Sequence, residues 1–216
     1  MRYNSKSVLY TMMGKNERPI WQGKPNLLCF ILEAIFNPLL PFALLWAIVD
    51  TCIGVMAFST MKEANGQLFL IGFFLLHLMP VWIYIAGVLF SYLKYIHTEF
   101  LITDKGVYCS GGIFAITYEH KPYAEISHIN LHRGIIDQML GVGDVTLTSN
   151  HDGYNTRESH SAYRGITICD IPDYKKVYDL LKQLQTDVYA DTMYPNDLRP
   201  KENHGYNTEY KGNIDI

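Results

Sequence analysis

The sequence predicts a membrane α+β fold, in which a two-helix transmembrane hairpin precedes short antiparallel strands that one amphipathic helix closes. Three observations predict it. Residues 27–93 are mostly apolar, which is typical of membrane-spanning segments. The stretch from Thr98 to Ser149 alternates short β-rich runs with glycine-containing turns, a pattern typical of hairpins. After Pro172, apolar residues recur with the spacing of one helical face.

The first 26 residues form a basic segment that we predict to be cytoplasmic. It contains five Lys and Arg residues and one acid, Glu17. Within it, Trp21 is expected near the entrance to the membrane, because an indole is stable at the level of the lipid headgroups.

The apolar region 27–93 is predicted to be a transmembrane helical hairpin. Residues 27–36 are either an interfacial helix or the start of a span. Residues 38–58 carry one formal charge and residues 68–93 carry none, so each is long and apolar enough to cross a bilayer. Pro80 is expected to kink the second span.

The distribution of basic residues predicts the orientation of this hairpin. Five basic residues precede it and Lys94 follows it, whereas the connecting loop contains only Lys62. Because Lys and Arg concentrate on the cytoplasmic side, both termini are predicted to be cytoplasmic in a multi-pass protein of the plasma or inner membrane.

Residues 95–188 are predicted to form a separate strand-rich domain. The predicted strands are separated by glycine, proline and polar residues, and the last of them precedes a helix whose apolar face includes Val177, Leu181 and Leu184. The polar residues 189–216 are predicted to be a disordered tail, with docking or modification of its tyrosines as the alternative. The predicted strands cover residues 96–103, 107–110, 113–119, 125–132, 143–148 and 165–169, and a polar loop is predicted over 149–163.

Composition argues against two classes of partner. The net charge of −3 is not that of a nucleic-acid-binding protein. Residues 95–188 contain eight basic and twelve acidic residues, a net charge of −4, which argues against recognition of anionic lipid headgroups. The four cysteines are widely spaced and are interpreted as isolated thiols.

No motif predicts a catalytic, cofactor-binding or metal-binding residue. The run Gly141-Val142-Gly143 leads into a strand rather than a helix, so we interpret it as a turn and not as a phosphate loop. His128 and His132 lie on a predicted strand, where four residues span about 13 Å, too far for two ligands of one metal ion. The histidines of the predicted loops are interpreted as surface residues, and a metal site that includes them is the alternative. They are His120, His151 and His160.

One pair of polar residues in the predicted spans forms a hypothesis of its own. Asp50 lies eight residues before the end of the first span, and His77 lies nine residues after the start of the second. At about 1.5 Å per residue the two lie at similar depth in an antiparallel hairpin, so we expect them to face each other and pair. The alternative is an Asp50 that is hydrated and has no partner.

Four segments of the chain resemble the bacterial pleckstrin-homology-like (PH-like) domains of small membrane proteins of the YdbS and YdbT type. The resemblance implies a PH-like β-barrel, partly open and made of two near-orthogonal sheets, capped by the C-terminal α-helix. It brings no known catalytic residue. The segments are Trp21-Gln22-Gly23-Lys24-Pro25, residues 100–107, residues 126–140 and Gly141-Val142-Gly143-Asp144-Val145.

Together these observations predict a membrane-anchored, non-catalytic PH-like module that binds or scaffolds a partner at the cytoplasmic face of a bacterial membrane. The expected partner is a protein or peptide, or a second copy of the chain, and no cofactor is expected. The alternative is a regulatory or pore-forming subunit of an oligomeric membrane transporter, with Asp50 and His77 lining a path. An enzyme ranks third.

Overall fold

The computed structural model describes residues 7–149 and 165–193, and the chain divides into two compact units. One, the strand-rich unit, comprises Met1–Cys29 and His97–Ile216, and the other, the helical unit, comprises Phe30–Ile96. The predicted loop over 149–163, apart from residue 149, and the predicted tail from residue 194 onward lie outside the described residues.

The described residues contain seven α-helices, one short 3-10 helix (Tyr123–Glu125) and seven strands. The helices are α1 (Val8–Met12), α2 (Leu27–Ile35), α3 (Leu39–Thr60), α4 (Ala64–His77), α5 (Met79–His97), α6 (Ile135–Leu140) and α7 (Tyr174–Met193). The strands are β1 (Pro19–Gly23), β2 (Glu99–Thr103), β3 (Gly106–Gly111), β4 (Thr117–Pro122), β5 (His128–His132), β6 (Gly143–Thr148) and β7 (Ile166–Ile171).

The helical unit contains α3 where the first span was predicted, but the second predicted span is divided. Leu78 interrupts the helix between α4 and α5, so the expectation of one kinked helix over 68–93 is corrected to two helices. Helices α3 and α5 are long and apolar enough to cross a membrane, whereas α4 is shorter.

Pro80 explains the interruption, because proline has no backbone N–H and its ring clashes with the carbonyl four residues earlier. Three carbonyls at the end of α4 consequently lose their helical donors, and other groups take their place. The Leu78 N–H donates to the Phe74 carbonyl over 2.9 Å and is shared with the Leu76 carbonyl, and two indoles donate to the other two carbonyls. Trp82 Nε1 donates to the Leu75 carbonyl over 3.1 Å, and Trp46 Nε1 donates to the His77 carbonyl over 3.0 Å.

The first sheet of the strand-rich unit contains β1–β4 in sequence order, each pair antiparallel. Strand β1 was not predicted, and it joins the basic N-terminal segment to the sheet by pairing with β2. Trp21 on β1 is 4% exposed in the core of this unit, so its expected place at lipid headgroups is wrong. A Cβ at Gly23 would lie 2.2 Å from the Trp21 ring, so only glycine fits beneath the indole.

The second sheet has the order β5-β6-β7, also antiparallel. Opposite Asp144 the pairing of β6 with β7 shifts register, which is a β-bulge. Within it Asp170 adopts a positive φ of 55°. Bulges bend a strand and redirect the side chains at the extra residue.

The core of the strand-rich unit lies between the two sheets and α7. Val145, Leu147, Val177 and Leu181 are fully buried, which confirms the predicted inward faces of β6 and α7. Helix α7 continues to Met193, five residues beyond the boundary predicted for the domain. The two antiparallel sheets and α7 are compatible with the implied PH-like fold. Among the described strands no ladder joins the two sheets, so closure of the predicted barrel is not seen.

Candidate functional site

The structure brings Asp50 and His77 together in the helical unit. Both carboxylate oxygens of Asp50 lie close to His77 Nδ1, at 3.0 and 2.9 Å. The Asp50 side chain is 3% exposed, whereas that of His77 is 43% exposed. An ionised carboxylate only accepts hydrogen bonds, so with Asp50 ionised the donor in this contact is the Nδ1–H of His77.

Aromatic rings hold the imidazole of His77 in place. The rings of Trp46 and Phe73 stack against it, each with a centroid distance of 5.3 Å. Trp46 also donates its indole N–H to the His77 carbonyl, so the Trp46 side chain contacts both the imidazole and the backbone of His77. The pair is therefore a fixed element of the α3–α4 packing.

Helix α6 presents an apolar surface on the strand-rich unit. Ile135 and Met139 are 80% and 81% exposed, and their i, i+4 spacing places them on one face of the helix. We call these two residues the α6 patch. Large apolar side chains this exposed on an ordered helix are typical of contact surfaces when they cluster.

The strand that precedes α6 is the edge of the second sheet. Strand β5 pairs with β6 on one side, and no other described strand pairs with it. The side chains of His128, Asn130, Leu131 and His132 are exposed, whereas Ile129 packs on the core. An exposed strand edge can accept an extended peptide as an additional strand.

Two carboxylates link the N-terminal segment to the first sheet. Burial alone would raise the pKa of Glu17, but hydrogen bonds from Thr103, the Gly14 N–H and Tyr108 outweigh it and lower the pKa. Glu99 behaves similarly: burial raises its pKa, but the 2.8 Å ion pair with Lys24 and the Ser7 hydroxyl lower it. Both pKa shifts favour the ionised form in the folded state.

A cluster of buried polar groups lies where the start of α2, helix α6 and strand β7 meet. The Cys29 thiol donates a hydrogen bond to Asp137 Oδ1 over 3.1 Å, and Asp137 Oδ2 accepts from the Gly134 N–H over 2.7 Å. The Asp170 carboxylate also lies within hydrogen-bonding reach of this thiol. Cys29, Asp137 and Asp170 are 0–2% exposed.

Burial is the main cause of the pKa shifts of Cys29 and Asp170, and neighbouring acids add to it. Burial raises the pKa of the Cys29 thiol strongly, and its contacts with Asp137 and Asp170 raise it further. Burial likewise raises the pKa of Asp170 to about 6; the Cys29 thiol opposes this rise, and Asp144 and Asp137 add to it. Cys29, Cys52, Cys109 and Cys169 are all free thiols, as predicted. The acidic neighbours of Cys29 lie more than 100 positions away in the chain, so the sequence pattern did not predict these contacts.

The histidines and the glycine run singled out in the sequence lie on strands and in a turn of the strand-rich unit, where the structure describes them. His128 and His132 lie on β5 as predicted, but His120 lies on β4 rather than in a loop, where its ring stacks on Tyr108. The Gly141–Gly143 run forms the turn between α6 and β6, with Gly141 at a φ of +71°. His151 and His160 lie outside the described residues.

Comparison with known proteins identifies the family. The sequence model of the family described as bacterial PH domain matches residues 39–185, which is more than half of the chain. The chain therefore belongs to the bacterial PH domain family. No curated protein and no solved structure matches it.

Proposed function

We propose that this chain is a membrane-anchored, non-catalytic bacterial PH module that binds a protein or peptide at the cytoplasmic face of the membrane. PH domains are typically non-catalytic binding modules, and the family match supports this class of function. The observation that carries the proposal is the α6 patch, which directly follows β5 in the chain, a strand whose second edge no other described strand pairs with.

Helices α3 and α5 supply the anchor in this proposal. Their length and apolar composition suit a bilayer. The basic residues before α2 and Lys94 support a cytoplasmic location for both termini.

The binding mode that we infer combines strand addition with an apolar anchor. A peptide that pairs with β5 gains backbone hydrogen bonds along the edge, and Ile135 or Met139 receives an apolar side chain of the same peptide. The net charge of −4 over residues 95–188 favours a neutral or basic peptide over an anionic lipid headgroup.

The test uses the intact protein, captured from cross-linked membranes. The variant Ile135→Lys/Met139→Lys is compared with Gln138→Lys, which adds a charge at an exposed position on the same helix. We expect the double variant to lose its captured partners while the control retains them, with equal thermal stability in all three proteins. Capture that is unchanged in the double variant contradicts the proposal.

Point variants are preferable to deletion of residues 95–188. Deletion also removes β2, the strand that pairs with β1, and so disturbs residues at the other end of the chain. Partner loss after such a deletion would not separate a binding defect from a folding defect.

A second candidate function, as a subunit of an oligomeric transporter, is favoured by one observation. Asp50 is a buried ionisable residue in an apolar helix, and such residues often mark ion or proton paths. Two or three helices do not enclose a path alone, so this function requires oligomers. Light scattering of the detergent-solubilised chain tests it, and a monomer contradicts it.

A further inference from the structure

The cluster formed by Cys29, Asp137 and Asp170 contains acids without a compensating cation. No ion pair in the described part of the chain involves Asp137 or Asp170. Arg133, which precedes α6, donates instead to the backbone carbonyls of Val142 and Asp137. Burying carboxylates without a positive partner is unfavourable, since an isolated buried charge loses its hydration.

One acceptor in the cluster has no hydrogen-bond donor. Asp170 Oδ1 is buried and unpartnered, and Asp170 is 2% exposed. Both oxygens of Asp137, by contrast, accept hydrogen bonds. Buried acceptors normally have partners, so the free oxygen of Asp170 indicates a group that is missing from the cluster.

The β-bulge directs this carboxylate toward the cluster. The positive φ of Asp170 is uncommon for a residue other than glycine, and the Asp144 carboxylate secures it by accepting from the Asp170 N–H over 2.8 Å. A strained backbone conformation persists only where surrounding contacts hold it.

The donor atoms have the separation that one small cation requires. Single donor atoms from Cys29, Asp137 and Asp170 all lie within 4.8 Å of one another, and Cys29 Sγ lies 3.1 Å from Asp137 Oδ1. Donor atoms on one tetrahedral zinc ion are about 3.5 Å apart, so adjustments of about 1 Å form three metal–ligand bonds.

We propose that Cys29, Asp137 and Asp170 bind a divalent zinc ion. A thiolate with two carboxylates is a mixed sulfur and oxygen donor set, which suits zinc better than magnesium or calcium, whose ligands are oxygen alone. On binding, the proton of the Cys29 thiol passes to solvent and the thiolate replaces its hydrogen bond to Asp137 with a bond to the metal. The ion ties the start of α2 to α6 and to the bulge of β7.

The first test is the metal content of the full-length protein, purified in detergent from zinc-supplemented cells. We expect about one zinc ion per chain, held by three protein ligands with a fourth position open to water. Cys29→Ser and Asp170→Asn should each weaken zinc binding more than tenfold, because replacing even an outer-shell partner costs about 10- to 100-fold. Cys109→Ser and Asp179→Asn, which alter a cysteine and an acid outside the cluster, should retain full zinc content.

A second test separates the metal site from a buried acid cluster that holds no ion. Asparagine tolerates a positive φ as aspartate does, so Asp170→Asn changes charge without changing backbone preference. With zinc as a ligand, this variant lowers the melting temperature. In a cluster without a metal it raises the melting temperature, because it removes a buried negative charge.

Cobalt reports on the thiolate directly. The chelator-treated full chain titrated with Co²⁺ should show thiolate-to-metal charge-transfer absorption that is absent in Cys29→Ser and present in Cys109→Ser. Wild-type protein without zinc, zinc that survives both Cys29→Ser and Asp170→Asn, or a higher melting temperature for Asp170→Asn each overturns the proposal.

Discussion

His77 Nδ1 lies 2.9 Å from the Asp50 carboxylate, and the two side chains belong to successive apolar helices. The contact joins an acid that is 3% exposed to the only histidine of α4, at the point where that helix ends. The contact therefore fixes which residues of α3 and α4 lie beside each other. In a bilayer, an unpaired carboxylate at this position would be costly.

Cross-linking tests this pair. In a background in which Cys52, Cys109 and Cys169 are replaced by Ser and the buried Cys29 is retained, Asp50→Cys/His77→Cys should form a disulfide under mild oxidation. Ile48→Cys/His77→Cys is the matched control, because Ile48 is 61% exposed on another face of α3. A double-mutant cycle with Asp50→Asn and His77→Leu should show a coupling free energy of about 1 kcal/mol, near the range measured for polar pairs in membrane helices. A disulfide in the control but not in the test pair contradicts the contact.

The hydrogen bond from the Trp46 indole should stabilise the protein only when Pro80 interrupts the helix. Trp46→Phe removes the donor to the His77 carbonyl and should lower the free energy of unfolding by about 1 kcal/mol, the net value of one hydrogen bond. In a Pro80→Ala background, a continuous helix supplies that carbonyl with a backbone donor, so the hydrogen-bond part of the cost should vanish. Equal costs in the two backgrounds, measured by thermal unfolding in detergent, would contradict this account.

Gly23 should resist substitution. Gly23→Ala places a methyl group 2.2 Å from the buried Trp21 ring and should destabilise the strand-rich unit by about 1–3 kcal/mol, as overpacking does. Gly111→Ala is the control, because a Cβ there meets nothing within 4 Å. Chemical denaturation followed by tryptophan fluorescence compares the two variants, and equal midpoints would count against the packing argument.

Acid should weaken the attachment of the N-terminal segment. The pKa values of Glu17 and Glu99 are lowered from 4.5 in the folded state, so their stabilisation is present above pH 4.5 and is lost as pH falls through the folded pKa values. Glu17→Gln and Glu99→Gln should therefore be less stable than wild type at neutral pH and should lose less stability on acidification. Glu125→Gln, at an exposed position, is the control. Parallel pH profiles for the wild type and Glu17→Gln would be evidence against this linkage.

Local pattern was sufficient for much of the fold. The turn at Asp104, the alternation of Val145 and Leu147, and the apolar stripe of α7 each depend on neighbours within a few residues, so periodicity and turn chemistry predicted them. The apolar composition of residues 27–93 likewise predicted apolar helices in this region. The meeting of Asp50 and His77 followed from counting residues along an antiparallel hairpin, and the intramembrane role of the pair stays a proposal.

Tertiary structure decided what depended on distant partners. Strand β1 is five residues long and is stabilised by pairing with β2, about 80 positions later. Because its sequence alone does not show this partner, Trp21 was predicted to lie near the membrane surface instead of on a strand. The division of the second span at Leu78 depended on whether Trp46 and Trp82 could satisfy the carbonyls that Pro80 leaves without donors. Cys29, Asp137 and Asp170 lie in three segments more than 30 residues apart, and only the packing of the start of α2, of α6 and of the bulge of β7 brings them within reach of one ion. Sequence thus determined the elements whose stabilising contacts are local, and folding determined the sites whose groups meet only after the chain has packed.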